Sequence, residues 1–401
     1  MMKQITRTLA LLNLSVFLKN HIFLLPVLYL FYTANGLTTG DFFLLQGLSA
    51  LTCLLLDVPM GYIADRISKK KILIFSGLVL ILRFVLLYFY PTKAVIFLGE
   101  FLYAFVIVSF VGTGDSYIYE LLKTENKTTA MLKRYGRLYF WISLGTSISS
   151  LTGGYLYDLY KADTVILLTI IFAMVSTLLL FFIPDVKTVE KKTDSLSDKY
   201  MSLFKSVKIS FQKPEFVNLV VYSAFLTATY QIFMWSMQPV MKAAMVPVGL
   251  FGVIFFLNHI SRASGSFFAH QILKKISLKN LGWVVYFGFV LSFFAMIQAS
   301  STTNYVLTVC LLVFVCGMIA LQVTWLISAI ARIHDISTSK NRALLASVNS
   351  MAGRLLTALC LIMSKFILDE NPMQLNLLIF LILFIPSILI LRRFNKSEGG
   401  L

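Results

Sequence analysis

Residues 61–90 read GYIADRISKKKILIFSGLVLILRFVLLYFY and join a short basic segment to a long apolar run. The run from residue 72 to residue 90 holds one charged side chain, Arg83, and approaches the roughly 20 apolar residues that a bilayer-spanning helix needs. A helix is required because backbone polar groups inside hydrocarbon must be hydrogen-bonded within their own segment. The stretch therefore predicts a membrane-spanning helix that follows a basic loop.

The same pattern recurs along the whole chain. Hydrophobic residues make up 58% of the 401 residues and charged residues 13%, with a mean hydropathy of +0.83, which excludes a water-soluble surface. We predict an all-α polytopic membrane protein with twelve transmembrane helices. The predicted spans cover residues 9–33, 41–64, 72–90, 94–120, 138–160, 164–183, 216–239, 248–270, 281–299, 304–331, 343–366 and 373–391.

Positive charge is distributed unequally between the two sides of the predicted spans. The chain has 35 Lys and Arg residues and a formal net charge of +17. Most of them lie between spans on the side of the N-terminus, and the opposite side holds only Lys93, Lys161, Lys242 and Lys365. The positive-inside rule therefore predicts cytoplasmic termini, and we expect the bacterial inner (plasma) membrane. The charge requires no nucleic-acid partner.

A polar stretch after the sixth span divides the chain. Residues 184–215 predict a cytoplasmic linker between an N-terminal six-helix bundle, residues 1–183, and a C-terminal six-helix bundle, residues 216–401. A weak internal repeat supports two pseudo-symmetric bundles, because ADRISKK at 64–70 aligns with AHQILKK at 269–275. In transporters with this arrangement, the substrate site lies between the halves near the midplane of the membrane.

The basic segment carries a motif. The sequence GYIADRISKKK at 61–71, between the second and third spans, resembles the G-x-x-x-D-R-x-G-R-R loop of the major facilitator superfamily. Ser68 stands where the motif has glycine, and lysines replace its last arginines. The resemblance covers the whole chain and implies a transporter that works by alternating access of two rocking bundles.

The resemblance also implies a conformational gate at the cytoplasmic face. Asp65 would meet the start of the eleventh span near Ala343, because helix N-termini favour an anion. Arg66 or Lys69 would reach Glu120 at the inner end of the fourth span. A basic loop that only fixes topology is the alternative, although it would require neither the aspartate nor the first glycine. The gate set is Gly61, Asp65, Arg66, Lys69, Lys70, Glu120 and Arg342.

Acidic residues inside the spans are further candidates, because charge in hydrocarbon is costly and is usually paired or functional. Asp57 and Asp115 are candidate proton-coupling sites, and a structural role is the alternative for each. Arg83 and Glu100 lie at similar depths in the third and fourth spans, which predicts a structural salt bridge.

Basic residues inside the spans need partners as well. Lys19 could pair with Asp57 if the first and second spans are adjacent. The second half carries Arg262 and Arg354 in its spans but no acidic residue. We favour a gate role for Arg262, whereas Arg354 could join the gate or bind an anionic substrate.

Small residues in the fifth span bear on the direction of transport. Residues 145–154, GTSISSLTGG, resemble the antiporter signature of drug exporters in this superfamily. Gly145, Gly153 and Gly154 would let the fifth and eighth spans approach closely. The resemblance favours export, although small-residue packing without directional meaning remains an alternative.

The same resemblance assigns substrate-cavity candidates to the seventh and tenth spans. Their aromatic and amide side chains suit an amphipathic organic compound, although Tyr and Trp also form interfacial belts. We predict no metal site, no cofactor and no enzymatic activity, since the four cysteines lack metal-site spacing and no phosphate-binding or hydrolase motif is present. The cavity candidates are Tyr230, Trp235, Gln238, Gln322 and Trp325.

These features together predict a secondary active transporter that resembles the drug/proton antiporter type. We expect a monomer that exports a small amphipathic organic molecule, with protons as the coupling ion. A proton-coupled importer of a metabolite and a lipid or lysolipid carrier on the same fold are alternatives. A non-transporting membrane scaffold is a more remote one.

Overall fold

The computed structural model describes residues 2–123, 131–186, 195, 197, 201, 204–205, 212–336 and 342–368. Within these ranges the protein is helical and contains no β-strand. The predicted twelfth span and most of the predicted linker lie outside the described residues. The α-helices are α1 Met2–Lys19, α2 Leu28–Ala34, α3 Thr39–Ala64, α4 Lys69–Phe89, α5 Lys93–Lys123, α6 Met131–Phe181, α7 Pro214–Ala243, α8 Val248–Leu273, α9 Leu278–Ser301, α10 Tyr305–Asp335 and α11 Arg342–Leu368.

Eight of the described helices, namely α3 to α7 and α9 to α11, are long and apolar enough to cross a membrane. The predicted all-α polytopic membrane fold is thereby confirmed. α8 has the length of a span, but Asn258, His259 and Arg262 interrupt its apolar run. Polarity is thus concentrated in the middle of this helix.

The first predicted span, residues 9–33, is two helices rather than one. α1 ends at Lys19, a 3-10 turn occupies Leu25–Val27, and α2 begins directly after it. Pro26 lies in this turn and has no backbone N–H to donate to a continuing helix. Pro26 therefore favours the start of a new helical segment at this turn.

α6 reverses direction at Lys161, where φ is 63° and ψ is −164°. A Cβ added at Gly153 would collide with the carbonyl oxygen of Phe23. Thr169 Oγ1 accepts a hydrogen bond of 3.2 Å from the backbone N–H of that same phenylalanine. Because residues on both sides of Lys161 contact one residue, the two halves of α6 lie side by side. The predicted fifth and sixth spans therefore form a helical hairpin.

The chain divides into two compact units. The first unit comprises Met1–Leu37, Thr52–Lys199 and Val248–Phe256. The second comprises Thr38–Leu51, Tyr200–Pro247 and Leu257–Leu401. These units differ from the predicted halves in two segments, since the start of α3 belongs to the second unit and the start of α8 to the first.

Specific contacts hold the start of α3 within the second unit. Asp41 Oδ1 lies 2.6 Å from Lys365 Nζ on α11. The ring of Phe42 packs edge-to-face on Trp235 of α7, with 5.7 Å between centroids. A Cβ added at Gly47 would lie 2.8 Å from the backbone nitrogen of Ile362. An ion pair, an aromatic contact and close backbone packing thus fix this segment.

We expect Lys161→Gly to raise the thermal unfolding midpoint of the protein purified in detergent. The backbone conformation of this residue is strained for a side chain with a Cβ, by about 1–3 kcal/mol, and glycine adopts it freely. Part of the gain is offset because glycine loses more backbone entropy on folding.

Lys161→Ala is the matched control, because it removes the same charged side chain and keeps the Cβ. Tryptophan fluorescence during heating measures both midpoints. A midpoint for the glycine variant at or below that of the alanine variant would show that the turn is not strained.

Candidate functional site

The basic loop after α3 is organised by the N-cap of α4. The Ser68 hydroxyl accepts a hydrogen bond of 3.4 Å from the backbone N–H of Lys71. It also donates to Asp185 Oδ1 at 2.6 Å, and Lys70 Nζ donates to the carbonyl of Phe181 at 2.8 Å. The serine in the motif's glycine position therefore ties the loop to the segment after α6. Sequence reasoning missed this contact because the two partners are 117 residues apart.

Lys69 forms an ion pair with Glu120. Its Nζ lies 2.5 Å from Glu120 Oε1, and the two side chains are 3% and 13% exposed. Arg66 instead places its guanidinium carbon 3.5 Å from the ring centroid of Tyr62. Of the two cations expected to reach the glutamate, Lys69 makes the contact in this structure. The pair joins the start of α4 to the C-terminal end of α5.

The other members of the gate set are placed less completely. A Cβ added at Gly61 would meet no described atom within 4 Å. Asp65 is partly buried in the turn after α3, where its backbone N–H donates to the carbonyl of Gly61. Arg342 begins α11, but its side chain lies outside the described residues. The gate role of this set stays a prediction.

The salt bridge expected between Arg83 and Glu100 is present. Arg83 Nη2 lies 2.6 Å from Glu100 Oε1, and the side chains are 2% and 3% exposed. Tyr32 on α2 donates a short hydrogen bond to the same carboxylate oxygen. The ring of Tyr103 lies 4.2 Å from the guanidinium carbon. A buried ion pair survives only with such additional contacts, and this one joins α2, α4 and α5.

Lys19 does not pair with Asp57, which corrects one expectation from the sequence. Its Nζ donates to Ser76 Oγ at 2.7 Å and lies 4.2 Å from the ring centroid of Phe110. The end of α1 thus places the amine against α4 and α5 rather than against α3. Asp57 is partly buried on α3, and the side chain of Asp115 lies outside the described residues.

A polar cluster occupies the middle of α7 and α8 in the second unit. The Tyr230 hydroxyl donates to Asn258 Oδ1 at 3.1 Å, and the Arg262 guanidinium carbon lies 4.3 Å from the Tyr230 ring centroid. His259, one turn before Arg262, has a buried Nε2 without a hydrogen-bond partner among the described residues. We call these four residues the α7–α8 cluster.

The sequence assigns Tyr230 and Arg262 to candidate sites, but it assigns neither Asn258 nor His259 to one. A signal was present, because Asn258 precedes Arg262 by four residues and such pairs share a helix face. The sequence predicts a substrate-cavity role for the tyrosine and a gate role for the arginine. The structure brings both into one set of contacts.

Two cavity candidates from α10 are built into the packing of the second unit. Trp325 is 1% exposed, and its Nε1 donates to the carbonyl of Leu278 at 3.1 Å. Its ring packs edge-to-face on Tyr222, two helical turns before the tyrosine of the α7–α8 cluster. Gln322 Nε2 donates to the carbonyl of Leu226 at 2.7 Å. A buried indole N–H or amide N–H needs such a partner, so both side chains make packing contacts within the second unit. Gln322 Oε1, however, is buried without a partner among the described residues, and the cavity role of both residues stays a prediction.

The remaining cavity candidates, Trp235 and Gln238, lie on α7. Trp235 is partly buried against Phe42, as described above. Gln238 is fully buried among the helices of the second unit. The cavity role of both residues stays a prediction.

The glycines of the fifth span serve two different contacts. A Cβ added at Gly145 would collide with the carbonyl oxygen of Phe17 on α1, and Gly153 faces the turn after α1. A Cβ added at Gly154 would lie 2.5 Å from the backbone nitrogen of Gly252 on α8. The expected approach of the fifth and eighth spans therefore involves Gly154, and the other two glycines pack on the first segment of the chain.

Comparisons with known proteins agree with this architecture. No curated protein sequence matches the chain. The nucleoside transporter NupG has a similar fold in two crystal structures, at 14% identity in both. The TM-score is 0.78 for a point mutant, over 97% of this chain and 99% of that one. For the other structure it is 0.74, over 97% and 98%.

A third similar structure is a bacterial homologue of the human lysosomal transporter Spinster, in an inward-facing and unoccupied conformation. The TM-score is 0.72 at 14% identity, over 98% of both chains. At this identity the likeness shows the fold alone. The family model of the Major Facilitator Superfamily matches residues 9–359, which is most of the sequence. The chain therefore belongs to the Major Facilitator Superfamily.

Proposed function

We propose that the protein exports a small amphipathic organic molecule by alternating access and that protons drive the cycle. The α7–α8 cluster is the observation that carries the proposal. At 1.5 Å per residue, Tyr230 and Arg262 lie about 24 Å and 21 Å along their helices, near the middle of each. Polar groups at that depth are costly and characteristically mark a solute pathway.

Proton coupling is assigned to acids of the first unit. Asp57 lies in α3 two residues before Pro59, and Asp115 lies in α5 five residues before Glu120. A carboxylate at this depth holds or releases a proton according to whether water, protein or a cation surrounds it. A change of surroundings during the cycle would therefore couple proton movement to transport.

Export is proposed from the small-residue pattern of the fifth span, and cytoplasmic termini in a bacterial inner membrane from the positive-inside rule. We further propose that one chain transports alone. Import of a metabolite stays the second candidate, because the structurally similar NupG is a nucleoside transporter. Uridine is therefore a suitable test solute beside lipophilic ions.

Proteoliposomes with an imposed pH gradient distinguish these functions. An antiporter accumulates solute in an acidic lumen, because protons leave as the solute enters, whereas a symporter accumulates it in an alkaline lumen. Ethidium and uridine carry no titratable group near neutral pH, so protein-free liposomes give a clean baseline. The transport proposal would be contradicted if neither of these solutes, nor any of the anions named below, showed gradient-driven flux.

Replacing either candidate acid should uncouple transport from the gradient. We expect Asp57→Asn or Asp115→Asn to reduce gradient-driven accumulation by about tenfold or more, while exchange of solute for solute continues. Asp163→Asn is the matched control, because Asp163 is an exposed aspartate in the turn region of α6. Unchanged pH dependence in both test variants would place the coupling site elsewhere.

The Lys69–Glu120 pair supports a gate in the basic loop. Both side chains are largely buried, so the pair fixes the first turn of α4 and with it the loop that carries Asp65. We infer that this rigid loop holds Asp65 in position to act as the latch of the gate. A loop whose only role is to set topology would not require a buried ion pair.

Reversing one charge of this pair should impair transport, and reversing both should restore it. Lys69→Glu places two carboxylates together, at a cost of about 3–5 kcal/mol for a broken buried pair. The double variant Lys69→Glu with Glu120→Lys recreates the attraction. Initial exchange rates, normalised to protein eluting as a single species, measure both. A double variant as slow as the single one would remove the pair from the gate.

A further inference from the structure

We propose that the α7–α8 cluster binds the anionic group of an amphipathic organic solute, with Arg262 as its counter-ion. The anionic group is a carboxylate or a phosphate, carried by a soluble compound or by a lipid. This inference rests on the proposed transport function and names its substrate class. It also replaces the gate role that the sequence suggested for Arg262.

The charge of Arg262 is not balanced by any carboxylate that the structure describes. Its observed contact is the face of Tyr230, and a cation over a ring is held less strongly than a cation in an ion pair. The structure describes three acids in the second unit: Asp41 pairs with Lys365, Glu215 pairs with Arg332, and Asp335 is exposed at the end of α10.

The groups around Arg262 that still lack a strong hydrogen-bond partner are mainly donors. Asn258 Oδ1 already accepts the tyrosine hydroxyl, so its amide NH₂ group is left with the sulfur of Met237 at 4.0 Å, a weak acceptor. His259 Nε2 is buried without a described partner and donates in one of the two tautomers. A carboxylate or phosphate accepts several hydrogen bonds and donates none when ionised, so it complements this set.

The burial of the cluster favours binding of an anion. Tyr230 and Asn258 are 6% and 1% exposed, whereas Arg262 is partly exposed. An unmatched cation near the middle of a helix inside a membrane carries a free-energy cost. A bound anion would remove part of that cost each time it occupies the site.

The surroundings indicate an organic body rather than a bare inorganic ion. The Tyr230 hydroxyl lies 3.4 Å from the sulfur of Met234, and the sulfur of Met237 lies 4.0 Å from the amide nitrogen of Asn258. Both methionines are on α7. Methionine side chains are flexible and polarisable, and they adapt to apolar groups of different shape. Two methionines beside a donor cluster therefore suit a solute with one charged end and one apolar end.

Three probes with the same apolar body test the charge requirement on the full-length protein in detergent. They are 4-phenylbutyrate, 4-phenylbutan-1-ol and 4-phenylbutylamine. We expect the anion to raise the thermal unfolding midpoint and to bind in titration calorimetry, and the alcohol and the amine to do neither. Lysophosphatidylglycerol and inorganic phosphate, as additional probes, distinguish a lipid head group from a free ion.

Variants assign the effect to the cluster. Arg262→Gln should weaken anion binding by at least about tenfold, and Arg262→Lys by less, because the charge remains. Tyr230→Phe removes the hydroxyl that orients Asn258 and should weaken binding about threefold. Arg332→Gln is the control, since it removes the same charge from a partly exposed ion pair of the same unit and should leave the affinity unchanged.

The outcomes separate this site from the proposed function. Equal binding of the three probes, or anion binding that Arg262→Gln and Tyr230→Phe leave intact, overturns the site. If Arg262→Gln does not elute as a folded species, Arg262→Lys and Tyr230→Phe decide.

Arg262-dependent binding without flux retains the site and removes transport. Flux that is independent of Arg262 retains transport and removes the site. Binding of lysophosphatidylglycerol alone makes the solute a lipid, and binding of inorganic phosphate alone overturns the proposal.

Discussion

The free-energy cost of a charge among membrane-spanning helices determines how this protein is packed. The lysine, arginine and glutamate side chains that the structure shows buried in the first unit each have a polar partner on a different helix. Arg83 finds it in Glu100, Lys69 in Glu120, and Lys19 in the hydroxyl of Ser76. The contacts that make the charges tolerable thus also fix which helices are neighbours. The second unit differs, because Arg262 rests on an aromatic ring and keeps its charge unmatched among the described residues.

The sequence predicted the lengths of the spans and the depths of their charged residues well. It predicted poorly on which side of a helix a given residue lies. The spans followed from apolar length alone, and the Arg83–Glu100 pair followed from the similar depths of its members. Depth did not show which side of α1 carries Lys19, nor that Trp325 faces its own bundle. In a soluble helix the polar face reveals the rotation. In a membrane both lipid and bundle interior are apolar, so the hydrophobic pattern carries little of that information.

Where the sequence departs from the family motif, the replacing residue makes hydrogen bonds of its own. The serine at position 68 replaces a glycine, and the structure uses its hydroxyl twice, as the cap of α4 and as a donor to Asp185. The cap follows from local sequence, since serine before a helix accepts from the backbone N–H three residues later. The second contact depends on where α6 ends, which the spacing of the motif does not specify. A substitution that weakens a motif can therefore strengthen the attachment of its loop.

The reversal within α6 bears on how the chain enters the membrane. Between its two halves there is no polar loop in which one half could wait in water while the other crosses. The two halves are therefore expected to leave the insertion machinery together, as one helical hairpin whose backbone is already hydrogen-bonded. The only charged groups that must pass the hydrocarbon with it are those of the short turn, Asp158, Lys161 and Asp163. Insertion of this part of the chain is then one event with a small electrostatic barrier, instead of two successive crossings.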